Sequence, residues 1–448
     1  MPHRFARRQL LAFVVIAIAV LSSPLSLVAQ EEVGPTTNGS KLIQGDDQPA
    51  VKQEIDGDAV DAAADADLPL EPPKEIIELA KKAKDKFLAI RAELAETLID
   101  MRTTHTNYVN DDEQTPQAKE LYREQRTKAR RLMDKLFDAG LEVVRLVPDK
   151  EAAKFLITWI QHRMNHSLYD ATTHEAGARL LDGGFQLIYL FKATARSATI
   201  VGDFEMAKRL YKTLEEKHLD DLDKGFIVNG KNLEAQFKKE SEQRKIDAEK
   251  DTNPRVRINT SRGDVVVELY IDQAPSTVAN FIQLVESNFY DGLDFYQVID
   301  DLLALTGDES GDGLGNTGKF LVDECNREDA RMPLAGSLVM AKRPIDNKGN
   351  FLENSASCQF AILYVPIARI AGQQVVFGRV IEGMDSIGAL RRVDPSKEKK
   401  KGAVQFPSDV ILSMEVIRRP DVLPEINYFD LSKLNPHAGH DHATEPSQ

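Results

Sequence analysis

Phe289-Tyr290-Asp291-Gly292-Leu293-Asp294-Phe295-Tyr296-Gln297-Val298-Ile299 decides the reading of this chain. Asp291-Gly292 is a turn signal, and Phe295 to Ile299 is apolar, aromatic and β-branched, the composition of a strand. Just before it, Val278, Phe281, Ile282 and Val285 recur at helical spacing, with Ser276 and Thr277 placed to cap the start of that helix. Farther out, Val256, Ile258 and Thr260 alternate, Ser261-Arg262-Gly263-Asp264 forms a turn, and Val265, Val267 and Leu269 alternate on the return. Val410, Leu412, Met414 and Val416 repeat the alternation near the end. Many short strands with only a couple of helices suit a closed antiparallel β-barrel capped by helices.

Three more blocks follow in order: Gly336-Ser337-Leu338-Val339-Met340-Ala341, Ser357-Cys358-Gln359-Phe360-Ala361-Ile362 and Gln374-Val375-Val376-Phe377-Gly378. With the strand at Phe295 they resemble the cyclophilin family of peptidyl-prolyl cis-trans isomerases, over residues 255–418. The resemblance implies a closed, cyclophilin-like barrel that binds X-Pro-containing polypeptide clients and uses no cofactor. Prolyl isomerisation breaks no σ bond; its barrier of about 18–20 kcal/mol is lost amide resonance. A catalyst therefore needs a pocket for the proline ring, hydrogen bonds to the flanking backbone, and a donor aimed at the imide nitrogen as its lone pair localises.

Carried onto this sequence, the imide-facing catalytic position is Gln297, where the family has arginine, and Tyr296 stands at a histidine position. The peptide-binding set implied by the resemblance is Phe295, Leu302, Leu303, Ala341, Gln359, Phe360, Ala361, Arg369, Ile370 and Gln374. Leu302 and Leu303 replace Phe and Met, and Ala361 replaces a pocket Phe, so a wider pocket is expected. Arg369 replaces the rim Trp, and Gln374 a rim His. Gln359, the family's backbone-holding residue, is kept. These changes leave two readings: a folding factor of the cell envelope with a weakened isomerase site, or a non-catalytic proline-peptide-binding or scaffold module. The glycine-rich stretch Gly307 to Gly318 lacks the lysine and following helix of a phosphate-binding loop and reads as a surface loop of the barrel.

The rest of the 448-residue chain sets the context. Arg4, Arg7 and Arg8, the apolar run Leu10 to Leu21 and the small residues up to Ala29 have the order of a secretory signal. The apolar run is shorter than the roughly 20 residues of a membrane span, so an exported, periplasmic or secreted protein without a stable anchor is expected after cleavage. Residues 30–72 hold eleven acidic residues against two basic ones and form an acidic disordered linker.

Residues 73–250 read as an α-helical domain. Ile76 to Met101 keeps a period near 3.6, Pro116 opens a second helix ending near Gly140, and Asp149 caps a third. Phe185 to Thr199 and Phe204 to Lys217 read as two more helices. Gly202 to Tyr211 resembles half a tetratricopeptide repeat, but no 34-residue period recurs, which favours an irregular antiparallel bundle able to hold a protein partner. Lys238 to Lys250, charge-dense and nearly without apolar residues, reads as a solvated helix end at the domain boundary.

Residues 419–448 form a tail with His437, His440 and His442, which is disordered or a weak metal binder; no metal site is assigned. Cys325 and Cys358 are too few for a disulfide framework and read as buried thiols, with a single bridge left open. The net charge of −14 argues against a nucleic-acid partner.

Overall fold

A computed structural model describes residues 73–110, 115–345, 350–394 and 407–430. The leader, the acidic linker and the three tail histidines lie outside the described residues. The chain forms two compact units that part between Asp223 and Lys224, with residues 166–168 belonging to the second.

The first unit is helical: α1 (Lys74–Asn110), α2 (Pro116–Leu146), α3 (Lys150–Asn165), α4 (Ala171–Asp182), α5 (Ile188–Val201) and α6 (Phe204–Thr213). The stripe on α1 buries Phe87, Leu94, Leu98 and Met101. Lys86 pairs with Glu142 and Glu93 with Lys128, so α1 and α2 run antiparallel. α2 does not end at Gly140. A Cβ there would stand 3.3 Å from the Phe87 ring, so the glycine serves close helix packing and not termination. Asp149, Asp170 and Asp203 each accept a hydrogen bond from a first-turn backbone N–H, at 2.7, 2.8 and 3.0 Å. α4 carries no bulky stripe for sequence reading to find, because its buried face is Thr173, Ala176, Gly177 and Leu180.

The second unit begins inside α7 (Asp221–Lys250). Here the expected boundary at residues 250–255 is corrected. Glu240 and Asp247, read as solvated, are 1% and 7% exposed. Both bond the buried Arg331: Nη2 reaches Glu240 at 2.7 Å and Nη1 reaches Asp247 at 2.7 Å. The guanidinium carbon also lies 3.4 Å from the centroid of the Tyr270 ring. A stable proteolytic fragment is therefore expected to begin near Lys224 and retain α7. A fragment starting at Arg255 with the same melting temperature would show that the helix adds nothing.

The strands are β1 (Arg255–Thr260), β2 (Gly263–Leu269), β3 (Gln297–Ile299), β4 (Leu303–Thr306), β5 (Ser337–Met340), β6 (Phe360–Leu363), β7 (Val376–Glu382) and β8 (Ile411–Arg418). They form one sheet in the order β3-β4-β6-β5-β7-β2-β1-β8, and its described pairings are antiparallel. The expected closed barrel is corrected to an open half-barrel. Among the described residues β3 and β8 share no ladder; ahead of them the edges are joined by an isolated bridge, Asp294 to Val410, and by backbone hydrogen bonds such as Phe295 N to Asp409 O at 2.8 Å. β3 is three residues long, and its outer edge is taken by Val393, which bridges to Val298.

The alternation read on β8 is also corrected. Ile411 and Met414 are buried and Leu412 is exposed, because a register shift against β1 between Asn259 and Thr260 moves the inward face by one residue. α8 (Pro275–Glu286) covers the sheet with Val278, Phe281, Ile282 and Val285 buried, as the spacing predicts. Its cap comes from afar: Glu324 accepts from the Ser276 and Thr277 amides at 3.0 and 2.9 Å. α9 (Met384–Gly388) is a single turn. Cys325 and Cys358 are free and buried, and burial pushes the Cys358 thiol up to about 11.

Candidate functional site

The register of four strands builds one face of the site. Gln297 on β3 stands opposite Leu305 on β4, Leu305 opposite Ala361 on β6, and Ala361 opposite Val339 on β5. Residues directly opposite in antiparallel strands share a face, so these four side chains form a row across the sheet. Gln297, half-buried, is at its open end. Leu303 lies two residues along the same face. Val339, Ala361, Leu363, Ile370 and Val376 form a buried cluster, with Leu303, Leu305, Ile367 and Phe351 packed against it.

Phe351 was not found by sequence reading. It follows β5 in a segment bridged back at Pro344–Phe351, and nothing local marks its ring as part of the Ala361 cluster. An aromatic side chain is present, supplied from a different part of the chain.

The other predicted residues divide. Ala341 and Gln359 line a cavity of about 100 Å³, together with Gly313, Leu314, Gly315 and Phe320. The Ala341 amide donates to the Gln359 carbonyl at 2.9 Å, which aligns the end of β5 with β6. Leu302 sits in the β3–β4 turn, where its carbonyl accepts from the Tyr364 amide at 3.0 Å. Gln374 is half-buried, and its amide donates to the Ile370 carbonyl at 3.1 Å.

Phe295 and Phe360 are corrected from peptide-binding to core residues, at 1% and 0% exposure. Phe360 meets Phe281 edge-on at 5.3 Å and Tyr290 at 5.5 Å, on the face opposite the Gln297 row. The resemblance carried them into the peptide-binding set; the period of two puts Phe360 on the face opposite Ala361. Arg369 is exposed on the one-turn segment Ala368–Ile370 and is not among the residues lining the cavity.

The glycine-rich loop read as bland surface shapes the site. Asp308 turns inward, its carboxylate accepting from Ser310 N at 2.9 Å and Gly313 N at 2.5 Å. A Cβ at Gly315 would fall 1.9 Å from Asp308 Oδ1, so glycine alone fits this turn. The loop thereby brings the Gly315 carbonyl to Gln359, whose Nε2 donates to it at 2.7 Å. Tyr296 Oη donates to the other end of the same amide, Gln359 Oε1. Burial pushes the Tyr296 phenol above its ordinary pKa of 10. Lys342, which also lines the cavity, is buried and paired with Asp323 at 2.6 Å.

What this arrangement can do follows from its parts. It offers an apolar patch with an aromatic member, a carboxamide able to hold a peptide backbone, and a neutral donor at the edge of the patch.

Comparison with known proteins agrees with this geometry. A family model described as cyclophilin type peptidyl-prolyl cis-trans isomerase/CLD matches residues 255–416. The chain is 31% identical over 150 residues to human peptidyl-prolyl cis-trans isomerase-like 1, covering 33% of this chain and 85% of that protein. It is 36% identical over 153 residues to the protein of that name from Rhizopus delemar, covering 34% and 87%. A solved cyclophilin-type isomerase from Cryptosporidium parvum superposes with a TM-score of 0.32 at 26% identity, covering 38% of this chain and 99% of that one. Through residues 255–416 the chain belongs to the cyclophilin-type peptidyl-prolyl cis-trans isomerase family.

Proposed function

We propose that the protein binds X-Pro segments of polypeptide clients across the Gln297–Val339 row and isomerises them slowly, as a folding factor of the exported compartment. The observation that carries this reading is the Gln359 amide, held at a cavity mouth beside the apolar cluster of Ala361, Ile370 and Phe351. A backbone grip next to an apolar patch is what an extended X-Pro peptide requires. A solved Cryptosporidium parvum relative was crystallised with the dipeptide Ala-Pro, which supports the same ligand chemistry here. Gln297 in place of a guanidinium supports slow turnover, since a neutral donor stabilises the developing lone pair less than a charged one. The same residue favours the second reading, a proline-peptide holder without useful turnover. The basic, apolar and small-residue order of residues 1–29 supports export. The helical unit is the candidate docking element for a protein partner.

The test is binding of a labelled Ala-Pro tetrapeptide together with an isomerisation assay on it, with a fully competent cyclophilin as reference. Saturable binding that Gln359→Ala weakens, with turnover well below the reference, is the expected result. Absence of binding at millimolar peptide would sink both readings.

A further inference from the structure

Gln359 is a carboxamide, and its two ends have nearly the same shape; only its hydrogen-bond partners decide which end presents oxygen and which nitrogen. Here both ends are assigned by the protein. Tyr296 Oη has a proton to give and donates to Oε1, while the Gly315 carbonyl can only accept and takes one Nε2 proton at 2.7 Å. One lone pair on Oε1 and one N–H on Nε2 remain. Those two groups complement the N–H and C=O of a single extended residue. Tyr296 immediately precedes β3 and is next to Gln297, and Gly315 comes from the loop that Asp308 folds. The amide is thus braced between two separate elements, and a Cβ at Gly313 would stand 3.6 Å from the Tyr296 ring.

We propose that Tyr296 is a positioning residue for client binding: its phenol holds the Gln359 carboxamide in the one orientation that presents a donor and an acceptor to the peptide backbone. The inference rests on the peptide-binding reading above and assigns Tyr296 a part in it. Because burial keeps the phenol protonated beyond its ordinary range, the donor persists at every physiological pH. A phenylalanine would keep the ring against the loop and remove only the proton.

The experiment uses the full chain with Tyr296→Phe and Gln359→Ala, the labelled Ala-Pro tetrapeptide, and solvent exchange of the Gln359 side-chain amide protons by NMR. Losing one neutral hydrogen bond of the usual strength corresponds to roughly three- to ten-fold in affinity. The expected result for Tyr296→Phe is a Kd and KM raised by that factor, kcat unchanged, and several-fold faster exchange at Gln359 Nε2. Equal or tighter peptide binding by Tyr296→Phe would overturn the proposal, since the phenol would then be idle or a competitor for Gln359. If neither wild type nor variants bind peptide, the functional reading fails by itself, and the exchange measurement decides the remainder. Faster exchange in Tyr296→Phe upholds the bracing role, and unchanged exchange overturns it.

Discussion

Replacing Gln297 by arginine is expected to raise kcat/KM for an X-Pro peptide by roughly 10- to 100-fold. Hydrogen bonds from charged donors contribute about 1.5–3 kcal/mol against about 0.5–1.5 for neutral ones. Each 1.36 kcal/mol or so taken from the barrier is one decade of rate. The register gives the substitution a defined place, because Gln297 ends the row that runs through Leu305 and Ala361. It is only half-buried, so a guanidinium there keeps part of its hydration. The gain should fall mainly on kcat, since the new interaction strengthens as the imide lone pair localises. An unchanged rate in a variant that still binds peptide would show that Gln297 does not face the imide nitrogen. Restoring the pocket aromatic by Ala361→Phe should not add to this gain. Ala361 is 6% exposed with Phe351 packed on the same cluster, and overfilling such a site costs about 1–3 kcal/mol of stability.

The second large effect concerns α7. Arg331→Ala is expected to destabilise the second unit by about 3–5 kcal/mol at neutral pH, the usual cost of removing one partner from a buried ion pair. For a unit of this size that lowers Tm by on the order of 10 °C. The variant leaves Glu240 buried with Arg244 as its remaining cationic partner, and Asp247 buried beside it.

The pH dependence separates this cause from a simple packing loss. In the wild type, burial opposes ionisation of Glu240, but the Arg331 and Arg244 guanidinia and the Met332 amide hold its carboxyl below the ordinary 4.5. A depressed carboxylate contributes stability above its unfolded pKa and loses it as pH falls through the folded one, so wild-type stability should decline on the acid side of 4.5. In Arg331→Ala burial is opposed only by Arg244 and the Met332 amide, so the Glu240 pKa rises above its wild-type value. The part of the wild-type advantage that comes from ionised Glu240 is then lost as pH falls from the variant's value through the lower, wild-type one. The stability gap between the two proteins should therefore narrow toward pH 4. A gap constant with pH would mean that lost packing on Tyr270, not charge, is the cause.

The residues that the sequence alone assigns correctly are those whose role is repeated locally. Helical spacing around Phe281 and alternation through Val265, Val267 and Leu269 declare which side chains are buried, because each element shows its period within its own length. The cap at Asp149 is equally local, since a carboxylate three residues before a first-turn amide needs no other partner. The ordered blocks from Phe295 to Phe377 were enough to name the family and to point to Gln297 and Gln359.

Tertiary structure decided everything that depends on a partner remote in the chain. Lys238 to Lys250 looks solvated because its charges are visible and their buried counterion, Arg331, lies over eighty residues away. Ala361 looks like a hole because the aromatic residue packed on its cluster, Phe351, is outside the matching strand position. The inward turn of β8 depends on a bulge formed with β1, and the outer edge of β3 is taken by Val393, far along the chain. Whether Gln359 can grip a peptide rests on Tyr296 and Gly315, 63 and 44 residues distant, which together orient an amide that alone could face either way. Spacing along a chain records periodicity; it does not record which distant groups will share a low-dielectric site and satisfy one another there.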